Sequence, residues 1–188
     1  MKLFRTCGLF WKLDDIYFGQ VGGGGHRGQL LGQRESKPFP KSIDFAMQIG
    51  VYALYADFSL LYVGQVGGGA NNRLLARIRQ HATGDFRGRW NRFSWFGLRW
   101  VKGNGQLSKE NEAFHPTRKE VLDHVEGIIL QFAEPSLNGQ EGRFGDDLER
   151  YVQIRSPDLG LTEKEILKEI LTKQSQTPTS APKKKKKK

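Results

Sequence analysis

Two short apolar segments about ten residues apart constrain this chain most: Gly50-Val51-Tyr52-Ala53-Leu54-Tyr55 and Leu61-Tyr62-Val63-Gly64. Both are rich in strand formers, and Ala56-Asp57-Phe58-Ser59 between them supplies turn residues, so the pair predicts a β-hairpin. Each strand carries a tyrosine beside or near a glycine. That pattern brings two phenols close to bare backbone, an arrangement suited to the close approach of a phosphate.

An arginine-bearing helical pattern follows. From Asn71 to His81, Leu74, Leu75 and Ile78 share one side while Arg73, Arg77 and His81 share another, and Gly84 is a natural stop. Arg77 and His81 are four residues apart and so are neighbours on one helical face. An arginine there can hold a phosphate, and a histidine beside it can hydrogen-bond or exchange a proton. The glycines Gly67 to Gly69 match neither the Walker nor the dinucleotide pattern, because Asn71, Asn72 and Arg73 follow them. They read as a turn.

The formal net charge of +10 is unevenly spread. Six positive charges are the terminal run Lys183 to Lys188. Residues 71–102 hold eight Lys/Arg against the single acid Asp85, whereas residues 1–70 are close to neutral and residues 103–182 are net acidic. One concentrated basic segment marks a surface for a polyanion, and Arg73, Arg79, Arg87, Arg89, Arg92 and Lys102 are its candidate nucleic-acid contacts. Trp90, Phe93, Trp95, Phe96 and Trp100 are interleaved with these cations, either to stack on unpaired bases or to pack as core. The single cysteine, Cys7, excludes an intrachain disulfide framework and fits a reducing, cytoplasmic setting. No apolar run has the length of a signal peptide or a membrane span.

Further along, Pro116 opens a helical pattern to about Ala133, with Thr117 and Glu120 at capping-box spacing. On it, Glu126 has Leu122, Ile129 and Leu130 as helical neighbours, costly surroundings for a carboxylate unless it is paired, reaches solvent or binds a hard divalent ion. His124-Val125-Glu126 matches the His-x-Glu of zinc deaminases, but the required Pro-Cys-x-x-Cys is missing. A second amphipathic helix is expected over 161–173, with Thr162 and Glu165 as its capping box. Near the start, residues 1–21 read as strands around a turn at Asp14-Asp15. The stretch from Tyr17 to Gly25 echoes that from Tyr62 to Ala70, as a degenerate repeat or as coincident Gly-rich turns.

In order, Gly50-Val51-Tyr52, Tyr62-Val63-Gly64, Arg77 with His81, Glu126 and Pro135-Ser136-Leu137-Asn138 resemble the GIY-YIG nuclease superfamily over residues 48–140. The resemblance implies an α/β fold with a small, mostly antiparallel sheet flanked by helices. It sets a nuclease-like domain at 47–140, leaving a strand-containing N-terminal extension (1–46) and a C-terminal extension with the short helix (141–173), while composition marks 174–188 as a disordered basic tail. It also implies a hydrolase: an endonuclease cutting DNA, with single-stranded DNA a candidate substrate, by in-line attack of water with one Mg²⁺ or Mn²⁺ ion. By the same resemblance Glu126 is the metal ligand, Arg77 stabilises charge on the scissile phosphate, and Tyr52 activates the water with Tyr62 as partner. His81 and Asn138 complete the catalytic set. An arginine and a metal beside Tyr52 are expected to lower its pKa from about 10. Gln65 stands where many relatives carry lysine, and Arg73 competes with Arg77 because the glycines lengthen the preceding link. The alternative is a module that binds nucleic acid through 71–102 without cutting it. The terminal extensions are candidate sites for a homodimer or a protein partner, and the lysine tail either adds sequence-independent affinity for polyanions or serves as a solubility tag.

Overall fold

The computed structural model of the chain describes residues 3–20, 27–36, 42–67, 72–109, 118–133 and 148–175. It has an α/β architecture built on one seven-stranded sheet. The strands are β1 (Thr6–Lys12), β2 (Leu31–Arg34), β3 (Ile43–Asp44), β4 (Gly50–Ala56), β5 (Ser59–Val66), β6 (Arg92–Gly97) and β7 (Glu149–Gln153). The helices are α1 (Leu74–Thr83), α2 (Arg118–Ala133) and α3 (Glu163–Ser175). The sheet order is β3-β2-β7-β1-β6-β4-β5, and every pairing is antiparallel except β1 with β7. The expected hairpin is β4–β5, with Tyr52 opposite Gly64 and Leu54 opposite Tyr62.

The sheet does not respect boundaries at 46/47 and 140/141. β1, from the N-terminal extension, pairs with β6, and β7, from the C-terminal extension, pairs with β1. Residues Met1–Ser156 accordingly form one compact unit, and Pro157–Lys188 a second. Near the start, the turn falls at Leu13–Asp15 as a 3-10 turn, while Ile16-Tyr17-Phe18 form no strand. The internal echo is therefore not a structural repeat among the described residues, since Tyr62 lies in β5 and Tyr17 in no strand.

Because strand side chains alternate between faces, the sheet carries two separate cores. One face gathers Tyr52, Leu54, Phe93 and Trp95 with Leu74, Leu75 and Ile78 of α1. The other gathers Ala53, Tyr55 and Phe96 with Phe132 of α2, joined by Ile128. α1 and α2 therefore cover opposite faces. β6 is interior to the sheet and covered on both sides, which buries Phe93, Trp95 and Phe96 almost completely, and Trp90, just before the strand, is buried in the α1-side core. These rings are core, not stacking platforms for bases. Trp100, half-buried, holds Arg5 over its ring at 5.2 Å.

Local signals explain the helix ends. Gly84 closes α1, its N–H donating to the Gln80 carbonyl at 2.9 Å. At the other end, the N–H groups of Leu74 and Leu75 donate to the Gln48 and Ala46 carbonyls, so the first turn of α1 spends its free donors on the protein itself. Two of the donors that a phosphate at this helix end would use are thereby occupied. In the second unit, the Thr162/Glu165 capping box forms as expected: the Glu165 carboxylate accepts from the Thr162 N–H and hydroxyl, and Thr162 Oγ1 accepts from the Glu165 N–H. The apolar side chains of α3 (Ile166, Leu167, Ile170, Leu171) are exposed. The Thr117/Glu120 box, Asn138, Gly68, Gly69 and the lysine tail lie outside the described residues.

Candidate functional site

The hairpin and α1 meet at four polar side chains. Tyr52 leaves β4 on the α1 side and is wholly buried, with 0% exposure. Its hydroxyl lies 2.7 Å from Nε2 of His81 and accepts a hydrogen bond from Nε of Arg77 at 3.3 Å. Arg77 also donates from Nη1 to Oε1 of Gln80 at 2.6 Å, which fixes the guanidinium at both ends. Tyr62, half-buried on β5, completes the group. Its ring centroid is 6.1 Å from Tyr52 and 5.0 Å from His81. Phe86 stacks on the imidazole at 5.1 Å with 12° between planes and lies 5.3 Å from Tyr62, so the three rings form a triangle. The i, i+4 spacing of Arg77 and His81 puts both on the helical stripe that faces Tyr52.

The two motif glycines have roles other than admitting a phosphate. Gly50 has φ +147°, and a Cβ built on it would sit 2.0 Å from the Phe96 carbonyl oxygen. Here the strand backbone approaches its neighbour too closely for any side chain. A Cβ on Gly64 would meet Tyr52 Oη at 2.5 Å and Tyr62 Cε1 at 2.8 Å. The bare backbone is occupied by the protein's own carbonyl and phenols. Glycine is needed to seat Tyr52 under Arg77.

Electrostatics set the resting protonation state of Tyr52. Burial pushes its pKa up to about 12, outweighing the opposite pull of Arg77. Tyr52 is therefore a neutral phenol at physiological pH. His81 moves the other way: burial, and then the nearby Arg77 charge, lower its pKa below the usual 6.5. With Tyr52 keeping its proton and its oxygen already accepting from Arg77, we assign the short contact as Tyr52 O–H donating to neutral His81 Nε2. Arg77, whose pKa is raised chiefly by the Tyr52 hydrogen bond, is a permanent cation. The half-buried groups of the cluster are Arg77 and Tyr62, so these are the two that solvent reaches.

Glu126 is elsewhere. α2 turns His124, Gly127 and Phe132 inward, and the imidazole Nδ1 of His124 accepts from the Phe4 N–H at 3.4 Å. Glu126 lies on the outward stripe, exposed beside Leu122 (69% exposed) and Ile129 (56%). Since α2 covers the sheet face opposite Tyr52, the carboxylate does not share a site with Arg77. Among the described residues no group of three or more His, Cys, Asp or Glu side chains is arranged to hold a metal ion. The donor set fits poorly with a Mg²⁺ or Mn²⁺ ion acting on a phosphate at Arg77, because the one carboxylate assigned to it lies across the sheet.

The basic segment is partly committed to the fold. Arg92 donates to the Phe10 carbonyl at 3.3 Å and lies 4.9 Å over the Phe58 ring, while Arg79 sits 5.8 Å from the ring of Phe18. Arg73 is buried, with Nη1 donating to the Asn72 carbonyl. Lys102 is half-buried, its N–H donating to the Gln106 carbonyl. Arg87 and Arg89 project from the turn after α1 as exposed cations. Gln80 and Phe86, which tether Arg77 and His81, were not singled out by sequence. The local signal for Phe86 is its place at the head of the cation–aromatic alternation that begins just after the helix stop. Burial also pushes the Cys7 thiol up to about 12, which makes it a core atom and not a nucleophile.

No known protein family, curated protein or solved structure matches the chain. Among the described residues no helix is long and apolar enough to cross a membrane.

Proposed function

We propose that the chain is an endonuclease of the GIY-YIG type, acting on phosphodiester bonds of DNA at the Tyr52–Tyr62–Arg77–His81 cluster. The observation that carries the reading is the Arg77–Tyr52–His81 chain: a fixed guanidinium, a neutral phenol and a neutral imidazole in hydrogen-bond sequence beneath one half-buried tyrosine. In this scheme Arg77 and Tyr62 bind the phosphate oxygens and stabilise charge developing there. Neutral His81 is the final proton acceptor: its Nε2 takes the Tyr52 proton as the Tyr52 oxygen, held by Arg77, takes one relayed from the attacking water. No step is routed through a metal, because Glu126 lies on the other side of the sheet.

The test is cleavage of single- and double-stranded DNA by the purified protein with Mg²⁺, Mn²⁺ or EDTA, beside Glu126→Gln. Cutting of DNA is the expected result, with Glu126→Gln retaining activity within about threefold. Absence of cleavage under every condition overturns the proposal, and loss of cutting in Glu126→Gln overturns the assignment of the site to the α1 face alone. A second reading, phosphate binding without cleavage, is favoured by that same separation of Glu126 from Arg77. It predicts salt-dependent DNA binding with intact substrate recovered.

The His81 assignment has its own consequence. Protonated imidazole cannot accept the Tyr52 proton, and its folded-state pKa lies below the unfolded value of about 6.5. Below pH 6.5 the unfolded state binds the extra proton more readily, so this group's contribution to stability is lost as pH falls through that range. Cleavage is expected to be level above pH 7 and to fall on the acid side with a midpoint below 6.5. A pH–rate profile of His81→Gln lacking that acid limb completes the check.

A further inference from the structure

Beside the cluster, on the outer side of Tyr62, lies a cavity of about 210 Å³ lined by Leu54, Leu61, Tyr62, Phe86, Arg89 and Trp90. Its floor is apolar and buried, formed by Leu54 and Trp90. Its walls are the rings of Tyr62 and Phe86, with centroids 5.3 Å apart and planes inclined by 56°. At its rim are exposed Leu61 and the exposed cation Arg89, and no carboxylate lines it. The volume falls below the roughly 300 Å³ at which sites for drug-sized ligands begin, so its ligand is small. An apolar floor and aromatic walls select a flat ring, while a cation at the mouth selects an anionic attachment to that ring. A nucleotide has both, and Tyr62 is shared with the phosphate-facing cluster.

Resting on the reading of the cluster as a phosphodiester site, we infer that this slot takes one unpaired nucleobase of a single-stranded substrate, with Arg89 on an adjacent phosphate. The base stacks on Tyr62 or Phe86, and the phosphate linked to it is thereby held near Arg77. A paired base inside a duplex cannot enter, because its faces are covered by its neighbours. The cavity therefore assigns the substrate class as single-stranded or locally unpaired nucleic acid.

The test separates base from phosphate. Binding in EDTA is measured for a single-stranded oligodeoxythymidylate and for an abasic oligonucleotide of equal length and charge. The expected result is about tenfold tighter binding of the base-containing strand, the scale of one base–aromatic stack. Phe86→Leu, which removes a ring but keeps apolar volume, is expected to cut that ratio below threefold and leave abasic binding within twofold. Arg89→Gln is expected to weaken both strands alike. A single strand carrying 2-aminopurine gives an independent readout, because stacking on Tyr62 or Phe86 quenches its fluorescence. Equal affinity with and without bases, or a ratio unchanged in Phe86→Leu, overturns the slot even when cleavage is intact. Base preference without cleavage supports the slot and overturns the nuclease reading, and failure to bind either strand overturns both.

Discussion

Replacing Arg77 with alanine is expected to lower the single-turnover rate of DNA cleavage by about 10²–10³-fold, the usual cost of removing one preorganised donor from developing charge. Two effects combine. The phosphate loses its fixed cation, and the Tyr52 hydroxyl loses the donor that offsets its burial, so its pKa climbs further. Arg77→Lys is expected to recover only part of the rate. An ammonium cannot reproduce a planar fork that bonds Tyr52 through Nε while Nη1 is held by Gln80. Binding is expected to change far less, by about one phosphate contact in the slope of log affinity against log salt. A fall in rate of less than threefold, or an equal fall in rate and affinity, refutes the role given to Arg77.

Gly50→Ala is expected to carry the largest stability cost of any single methyl added to the sheet. The new Cβ would lie 2.0 Å from the Phe96 carbonyl oxygen, at a φ of +147° that L side chains rarely adopt. Neither the β4 nor the β6 backbone can withdraw, because both are paired on their two edges. Overpacking of this kind costs about 3 kcal/mol, which in a domain of this size lowers Tm by roughly 6–12 °C. Gly103→Ala is the matched control. Its added methyl meets nothing within 4 Å, and thermal unfolding is expected to shift by about 0.5 kcal/mol or less. Equal melting of the two variants refutes the account of the first motif glycine.

The hairpin, α1 with its Gly84 stop and the Thr162/Glu165 cap were legible because each rests on local chemistry: strand formers around a turn, a 3.6-residue stripe, a side chain that reaches its own backbone. Which strands share a sheet was not legible. β1 and β7 carry no local mark saying that they pair with each other, and pairing over such distances is decided by the whole core. Glu126 shows the same limit in one helix. α2 has two apolar stripes, His124–Ile128–Phe132 and Leu122–Glu126–Ile129, and periodicity locates both without saying which meets the sheet. Only the packing of Phe4 and Phe96 against the first settles it. Likewise the alternation of cations and aromatics over 86–101 looked like a binding strip. β6 turned out to be interior to the sheet, so its aromatics face two cores while Arg87 and Arg89 stay outside. Arg77 and His81 were legible as a pair from their spacing. The resting state of Tyr52, a buried neutral phenol, depended on an exposure of 0% that no motif encodes.

The parallel pairing of β1 with β7 joins Thr6 to Glu149 across nearly the whole compact unit. A chain emerging from the ribosome can form the β4–β5 hairpin early, but the middle of its sheet stays open until residue 153 has been made. Such long-range closure is slow, and until it occurs β1 offers an unpaired edge to other chains. A fragment cut to residues 47–140 would keep every tyrosine and arginine of the cluster. It would also leave β6 with a bare flank where β1 had paired, an edge of the kind that invites another chain to add to it.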